Sequence, residues 1–260
     1  MKYKLSIITV NMNNSIGLEK TCLSVITQTF NNFEWIVIDG LSKDNSVEVI
    51  KKYSNKINYW VSESDSGIYE AMNKGVKKAT GEFLLFLNSG DFLLHPWTLQ
   101  EVIDEITTSK NTDVYYSDAI FDNYELLKFP DKINIDFFKN ANISHQNSLI
   151  KRELFMHQLY NENYRFISDW YFFITELINH NITFFHIKTL ISVYDTCGIS
   201  HIKRECSLEE KQKAMIELKI SGKFNINVVI LIRLHKIIKY ILPYGLYKLF
   251  YSLIKKILNR

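Results

Sequence analysis

The chain has 260 residues, 47% of them hydrophobic and 14% aromatic, with three prolines and three cysteines. That much apolar surface can fill a core and excludes a disordered or collagen-like chain, while three cysteines are too few, and odd in number, for a disulfide scaffold. The formal charge of +3 averages two unlike pieces: residues 219–260 hold nine of the 31 Lys/Arg and none of the 28 Asp/Glu, leaving residues 1–218 at −6.

Met1-Lys2-Tyr3-Lys4 is basic, but the apolar stretch behind it ends at Asn11, too short for the core of a secretory signal. No stretch reaches the ~20 apolar residues of a membrane-spanning helix; the longest, residues 224–232, is stopped by Arg233. These features predict a cytoplasmic chain with reduced thiols. Apolar runs at residues 5–10, 35–38, 59–61 and 83–87 are short and rich in β-branched or aromatic residues, which predicts buried parallel strands. Between the first two, Ile16, Leu18, Cys22, Val25 and Ile26 suit one face of a helix. Between the next two, residues 42–44 can cap a helix carrying Val47 and Ile50. Ile68, Met72, Val76 and Ala79 then recur at helical spacing, and Gly81 follows where a helix would stop. Strand–helix alternation of this kind is the pattern of a doubly wound α/β sheet.

Beyond it, residues 113–117 and 119–129 read as strands around an Asp122-Asn123 turn. A mixed segment follows to about residue 200, and a helix is expected from near Ser207 with Glu209 and Glu210 in its first turn. After Gly222 comes a tail divided by Pro243. Leu246, Leu249, Phe250, Leu253, Ile254, Ile257 and Leu258 form one stripe, with Lys248, Lys255, Lys256 and Arg260 off it, which predicts a basic amphipathic helix of the interfacial kind.

In open α/β sheets, ligands bind beyond the carboxyl ends of the strands. Here those ends carry Asn11-Met-Asn-Asn14, Asp39-Gly-Leu-Ser-Lys-Asp44, Ser62-Glu-Ser-Asp65-Ser-Gly67 and Asn88-Ser-Gly-Asp91. One acidic loop would mean little, because turns favour Asp and Asn. Acids at three successive ends repel one another unless something cationic compensates, and a divalent metal holding a diphosphate would do so. The turn after the first strand has no glycine, and no GxxxxGK[ST] loop occurs, which disfavours nicotinamide and P-loop chemistry.

Taken together, Ser6-Ile-Ile-Thr-Val-Asn11, Val37-Ile-Asp39-Gly-x-Ser42-x-Asp44, Ser62-Glu-x-Asp65-x-Gly67-Ile-Tyr69-x-Ala-Met-Asn73-Lys74-Gly75 and Ala79-Thr-Gly81-Glu-x5-Asn88-Ser-Gly-Asp91 resemble the inverting family 2 glycosyltransferases, in particular those of bacterial polysaccharide and O-antigen assembly. The likeness is dense over residues 5–91, thinner over 145–170, and fades past Gly198-Ile-Ser200. It implies an α/β, Rossmann-like GT-A nucleotide-diphospho-sugar transferase fold with a mixed central sheet and a C-terminal helical tail. The domain would occupy residues 1–218, with a nucleotide-binding half at 1–112 and an acceptor half at 113–218, followed by the tail at 219–260.

The resemblance also implies roles. Asp39 would accept the uracil N–H, with Thr9 and Asn11 lining the base and ribose pocket, Asp65 on the nucleoside and Lys74 near the nucleotide. Asp91 would ligate Mn2+ or Mg2+ bridging the donor diphosphate. The family loop usually reads Asp-x-Asp, and Asn88 leaves a single carboxylate here; His201 sits where some relatives supply a later ligand. His145 and Gln146, with Trp170, fall near donor sugar and acceptor, and Asp169 is the expected general base.

The bland readings stand beside these. Asp39 and Asp65 are singly ordinary helix caps, Asp91 could cap the helix around Trp97, and Asp169 could cap the helix starting at Trp170. Trp60, Tyr69 and Trp170 suit a core, and His145, His186 and His201 suit ordinary polar positions. Cys197-x3-His201-x4-Cys206 lacks the paired short spacings of structural zinc. The expected activity is inverting transfer of a hexose from a UDP-sugar to a lipid-diphosphate-linked saccharide, as in lipopolysaccharide synthesis. The alternative is a catalytically degenerate nucleotide-binding or membrane-adaptor protein. The tail would bind an anionic inner leaflet, making the protein peripheral to the cytoplasmic face; its other readings are packing on the domain or a homo-oligomer contact. Nucleic acid is disfavoured, since an acidic body repels phosphate.

Overall fold

Strand β1 (Leu5–Asn11) is buried along its whole length, so each of its residues meets another layer, and an unbroken apolar run is what such a strand requires. The computed structural model describes residues 3–195 and 204–220. Beside β1 lie β2 (Phe33–Asp39), β3 (Tyr59–Ser62) and β4 (Phe83–Phe86), all parallel, in the order β4-β1-β2-β3. The crossovers are helices α1 (Ser15–Ile26), α2 (Ser46–Tyr53) and α3 (Ile68–Lys78). All four expected strands are present, although β3, at the sheet edge, is only half-buried. A Cβ on Gly75 would come within 2.4 Å of Ile8 Cγ2, so glycine at that position lets α3 lie close against β1.

The sheet continues past β4 through β9 (Ser148–Lys151), β6 (Val114–Tyr116) and β10 (Phe184–His186). β9 runs antiparallel to both β4 and β6, and β10 runs parallel to β6, giving a mixed seven-stranded sheet among the described residues. A second small sheet has the order β5-β11-β7-β8, formed by β5 (Phe92–Leu93), β11 (Ser192–Tyr194), β7 (Ala119–Phe121) and β8 (Leu126–Leu127). The strand pair expected over 113–129 is thus divided. β6 joins the large sheet, while the Asp122-Asn123 turn connects the short β7 and β8 of the small one.

One face of the large sheet buries Leu5, Ile7, Trp35 and Val37 with α1 and with Leu99, Val102 and Ile106 of helix α4 (Thr98–Thr108). Elsewhere an aromatic cluster joins Phe86, Phe155, Tyr160 and Phe172, with the Phe155 and Phe172 rings stacked at 4.4 Å. Phe172 belongs to helix α6 (Ser168–His180), which packs against α5 (Ile135–Asn140). Buried Glu34, near the start of β2, accepts hydrogen bonds from Ser6, Thr80 and Gly81 and ties the α3–β4 turn to the sheet. This carboxylate is structural, at the opposite end of the strands from the expected rim.

The chain divides into two compact units, Met1–Gly198 and Ile199–Arg260, a boundary upstream of the charge break at Lys219. In the second unit, helix α7 (Arg204–Glu217) begins before Ser207, which places Glu209 and Glu210 in its second turn instead of its first. Apart from residues 219 and 220, the expected tail lies outside the described residues, and so does all of its amphipathic helix from Leu246.

Candidate active site

Strand register builds the first half of the site. In the parallel ladders Asn11 stands opposite Asp39, and Asp39 opposite Ser62, so the last residues of three strands sit side by side at the carboxyl edge. Asp39 is fully buried and accepts four hydrogen bonds: Asn11 Nδ2 at 2.7 Å and Ser42 Oγ at 2.5 Å on Oδ1, and Ser42 N–H at 2.9 Å and Ser62 Oγ at 2.6 Å on Oδ2. That meets the acceptor capacity of a carboxylate. The amide oxygen Asn11 Oδ1, beside it, is buried without a partner. Thr9, expected to line the pocket, does not reach it. Its fully buried hydroxyl accepts the indole N–H of Trp35 at 3.0 Å, because Thr9 shares the face of Asn11 but lies two residues before the strand end, inside the core.

Asp65 borders the same corner. A Cβ on Gly40 would fall 2.6 Å from Asp65 Oδ2, so the glycine of the β2 loop admits this carboxylate. Partial burial pushes the Asp65 carboxyl upward, against the pull of nearby Lys74 and the Gly67 N–H. Lys74 does not stand free towards a ligand. Its ammonium donates to the Ser64 carbonyl at 2.8 Å and pairs with Glu63 at 3.0 Å and Glu70 at 3.2 Å. Desolvation opposes its charge, but hydrogen bonds to Glu63 and then Glu70 raise its pKa overall.

The second half of the site centres on His145, in a short 3-10 turn (His145–Asn147) leading into β9. Its Nδ1 lies 2.9 Å from Asp169 Oδ2 and its Nε2 3.0 Å from Asn88 Nδ2. With the Asn88 amide donating to Nε2, the ring carries its proton on Nδ1 and donates it to Asp169. Asp169 also accepts from the Tyr69 hydroxyl at 3.1 Å and from Asn142 at 3.4 Å. It sits in the first turn of α6 but not at the N-cap, which is Ile167, so the capping alternative fails on position. Both His145 and Asp169 are buried. Trp170 is not a sugar platform: it is 1% exposed, and its indole donates to the Phe138 carbonyl at 2.7 Å.

Asp91 lies in the same region. It is 4% exposed and caps no helix; its Oδ1 accepts the Asp195 N–H at 3.0 Å. Burial lifts its carboxyl to about 6, against the lowering effects of the Asp195 N–H, His145 and Gln146. α1 fixes the loop before it, since the Thr21 hydroxyl accepts the Gly90 N–H and donates to the Asp91 carbonyl, while the Asn14 amide donates to the Ser89 carbonyl. Gly90 has φ +106°, and a Cβ there would meet Asp195 Oδ2 at 2.4 Å. Asp195 therefore approaches the loop only because residue 90 is glycine.

These residues suit a hard divalent cation. A desolvated carboxylate raised to about 6, a neighbouring second carboxylate and the unpartnered buried oxygen Asn88 Oδ1 are all oxygen donors. The structure thus brings together Asn11, Asp39 and Asp65 in one corner, and Asp91, His145, Gln146 and Asp169 in another. It excludes Thr9 and Trp170, and His201 lies outside the described residues. Asp195 and Tyr69 were missed by the sequence reading. Tyr69 stands inside a quoted motif, whereas Asp195 has no local signal and is delivered by the pairing of β11 with β5. An open groove of about 570 Å³, lined by Lys110, Asn134, Asp136 and Asn181 among others, includes none of the site residues.

Residues 6–159 match the family model described as glycosyl transferase family 2. A PGL/p-HBAD biosynthesis glycosyltransferase of Mycobacterium bovis is 30% identical over 199 residues, covering 74% of this chain and 77% of that protein. S. aureus TarS 1–349 in complex with UDP-GlcNAc superimposes with a TM-score of 0.66 at 18% identity, covering 91% of this chain and 73% of that one. The mannosyltransferase PcManGT of Pyrobaculum calidifontis, in complex with GDP-Man and Mn2+, gives 0.65 at 14% identity over 86% of this chain and 66% of that one. These likenesses identify the mixed α/β architecture as a GT-A glycosyltransferase fold.

Proposed function

The chain belongs to glycosyl transferase family 2, and we propose that it moves a hexose from a UDP-sugar, with inversion, to a hydroxyl of a lipid-diphosphate-linked saccharide in bacterial surface polysaccharide or O-antigen synthesis. The observation that carries the reading is the hydrogen-bonded chain Asn88–His145–Asp169, which joins the acidic loop after β4 to a buried carboxylate at the start of α6.

In the proposed reaction the acceptor oxygen attacks the anomeric carbon as the bond to the diphosphate oxygen breaks. The acceptor proton passes to Asp169. His145 Nδ1–H and the Tyr69 hydroxyl hold the Asp169 carboxylate in orientation before and during that transfer. Asp91, with Asn88 Oδ1 and Asp195 beside it, would hold Mn2+ or Mg2+, which supplies neutralisation of charge on the leaving diphosphate. Asp39 and Asn11 supply the base pocket, with Asp65 at its side. Because the Asp39 carboxylate already has four donors, binding uracil there exchanges one of them for the base N–H. The UDP choice is supported by the TarS complex with UDP-GlcNAc, while PcManGT binds GDP-Man, so both nucleotides belong in the test.

The acceptor and the place of action rest on the charge split. A tail with nine Lys/Arg and no acid would hold an acidic body to an anionic inner leaflet, where lipid-linked acceptors lie. The deciding experiment offers a panel of UDP- and GDP-sugars with a synthetic diphosphate-lipid acceptor, measures product mass, and determines the new linkage by NMR. A β-linkage from an α-linked UDP-sugar is expected. Retained configuration overturns the mechanism, and UDP binding without transfer to any acceptor favours the degenerate alternative.

A further inference from the structure

A second cluster of ligating side chains lies away from this chemistry. His157 follows the turn after β9, and Glu176 and His180 stand one helical turn apart on α6. One donor atom from each lies within 4.8 Å of the other two. His157 Nδ1 and Glu176 Oε2 are 2.9 Å apart, and the His157 and His180 rings stack with centroids 4.0 Å apart. Two ligands on one tetrahedral ion at about 2.0–2.2 Å are separated by roughly 3.3–3.6 Å, so the His157–Glu176 pair has to open by only about half an ångström to share a metal. His180 is exposed and can turn its ring to bring a nitrogen in.

The carboxylate supplies an independent argument. Glu176 is 1% exposed, and among the described residues its only ion-pair partner is His157. Its other oxygen accepts from Gln158 Nε2 at 3.0 Å, the outer hydrogen bond that usually orients a metal-ligating carboxylate. A buried carboxylate is costly without a cation, and an ion shared with the two imidazoles would supply one.

We propose that His157, Glu176 and His180 form a binding site for a borderline divalent transition ion of the Zn2+ class, with two imidazole nitrogens and one carboxylate oxygen as protein ligands. The ion replaces the His157–Glu176 hydrogen bond and displaces any proton from the imidazoles. It is separate from the diphosphate metal: Asp169 and His180 are eleven residues apart on α6, about 16 Å along the axis. Its effect is structural. The ion staples the segment after β9 to α6, and that segment carries Tyr160, whose ring packs 5.4 Å from Tyr69, the partner of Asp169.

The test uses the full chain without a histidine tag and with Asp91→Asn, so that the diphosphate site is weakened. Zinc chloride titrated calorimetrically should bind one equivalent at micromolar concentrations and raise the melting temperature. Co2+ at the same site should show tetrahedral d–d absorption bands. Adding His180→Ala, an exposed change that leaves the fold intact, should weaken zinc binding roughly 10- to 100-fold and abolish the thermal shift. Asp91→Asn protein that binds no zinc, or an affinity unchanged by His180→Ala and by His157→Ala, overturns the assignment.

Discussion

His145 Nδ1 lies 2.9 Å from Asp169 Oδ2, and this contact ties the loop at the expected metal end to the expected base. The same ring reaches Asn88 at 3.0 Å, at the position where the family loop usually has its first carboxylate. Asn88 therefore does more than remove a charge, because its amide sets the tautomer that donates to Asp169. An aspartate there would require a proton on Nε2 to be received, and the imidazole would become a cation or lose its Nδ1 donor.

With Asp169 as the base and His145 positioning it, both substitutions should act on kcat and spare nucleotide binding. Asp169→Asn should lower kcat by roughly 10²–10⁴ while UDP affinity by calorimetry stays unchanged. His145→Ala should lower kcat by about 10², with KM for the donor little moved, because misplacing a catalytic group costs that much without altering nucleotide contacts. A His145→Ala enzyme that loses only donor KM would place His145 on the sugar instead.

Thr9 and Asp39 lie on paired strands two register positions apart and should behave differently. Thr9→Val removes the acceptor of the buried Trp35 indole, costing about 1–3 kcal/mol in denaturant unfolding with UDP affinity unchanged. Asp39→Ala strips the partner from donors on Asn11, Ser42 and Ser62 and should cost at least as much while also abolishing UDP binding. UDP affinity that falls in Thr9→Val would restore the pocket role for that residue.

Asp91 makes a pH-dependent prediction for the protein stripped of metal with EDTA. Its folded pKa, about 6, lies above the ordinary 3.8, so the folded state holds this proton more tightly than the unfolded state. The resulting stabilisation is fully present below about 3.8 and is lost as pH rises through 6, about 3 kcal/mol in all at 1.36 kcal/mol per unit. Asp91→Asn removes that dependence. Relative to wild type it should be more stable at pH 7.5 and lose most of that advantage near pH 4.5, measured by thermal melts. Equal stability gaps at both pH values would refute burial as the cause. Saturating Mn2+ should erase the wild-type penalty at pH 7.5, since an ion bound only to the folded state adds stability.

Much of the fold was legible because three of the first four strands are covered or nearly so, and short β-branched or aromatic runs between helical periodicities have few other interpretations. The corner at Asn11, Asp39 and Asp65 followed from the rule that ligands gather beyond strand ends. The rest turned on tertiary placement, in different ways. Thr9 and Asn11 lie two residues apart on one strand, and sequence alone does not reveal where the core ends and the rim begins. Trp170 follows Asp169 in α6, but consecutive helix positions point about 100° apart, so one faces His145 and the other the Phe138 carbonyl. Asp195 was invisible because its place depends on β11 pairing with β5, a contact between segments a hundred residues apart in the chain. The split of residues 113–129 between two sheets likewise depends on the antiparallel β9, which no local pattern announced.

The tail supplies the last prediction. Near an anionic leaflet each Lys or Arg contributes about 1 kcal/mol, and the attraction is screened within a Debye length. Full-length protein should therefore sediment with phosphatidylserine-containing vesicles at low salt and be released at high salt. Protein ending at residue 218 should stay in the supernatant yet transfer sugar to a water-soluble acceptor as well as the intact chain does, because every site residue named above, His201 included, lies before residue 219. A truncated protein that sediments as before would remove the membrane role. Intact chains that ignore vesicles but dimerise in velocity sedimentation, while truncated ones stay monomeric, would assign the tail to a contact between copies, since an apolar stripe with a basic flank can be covered by either surface.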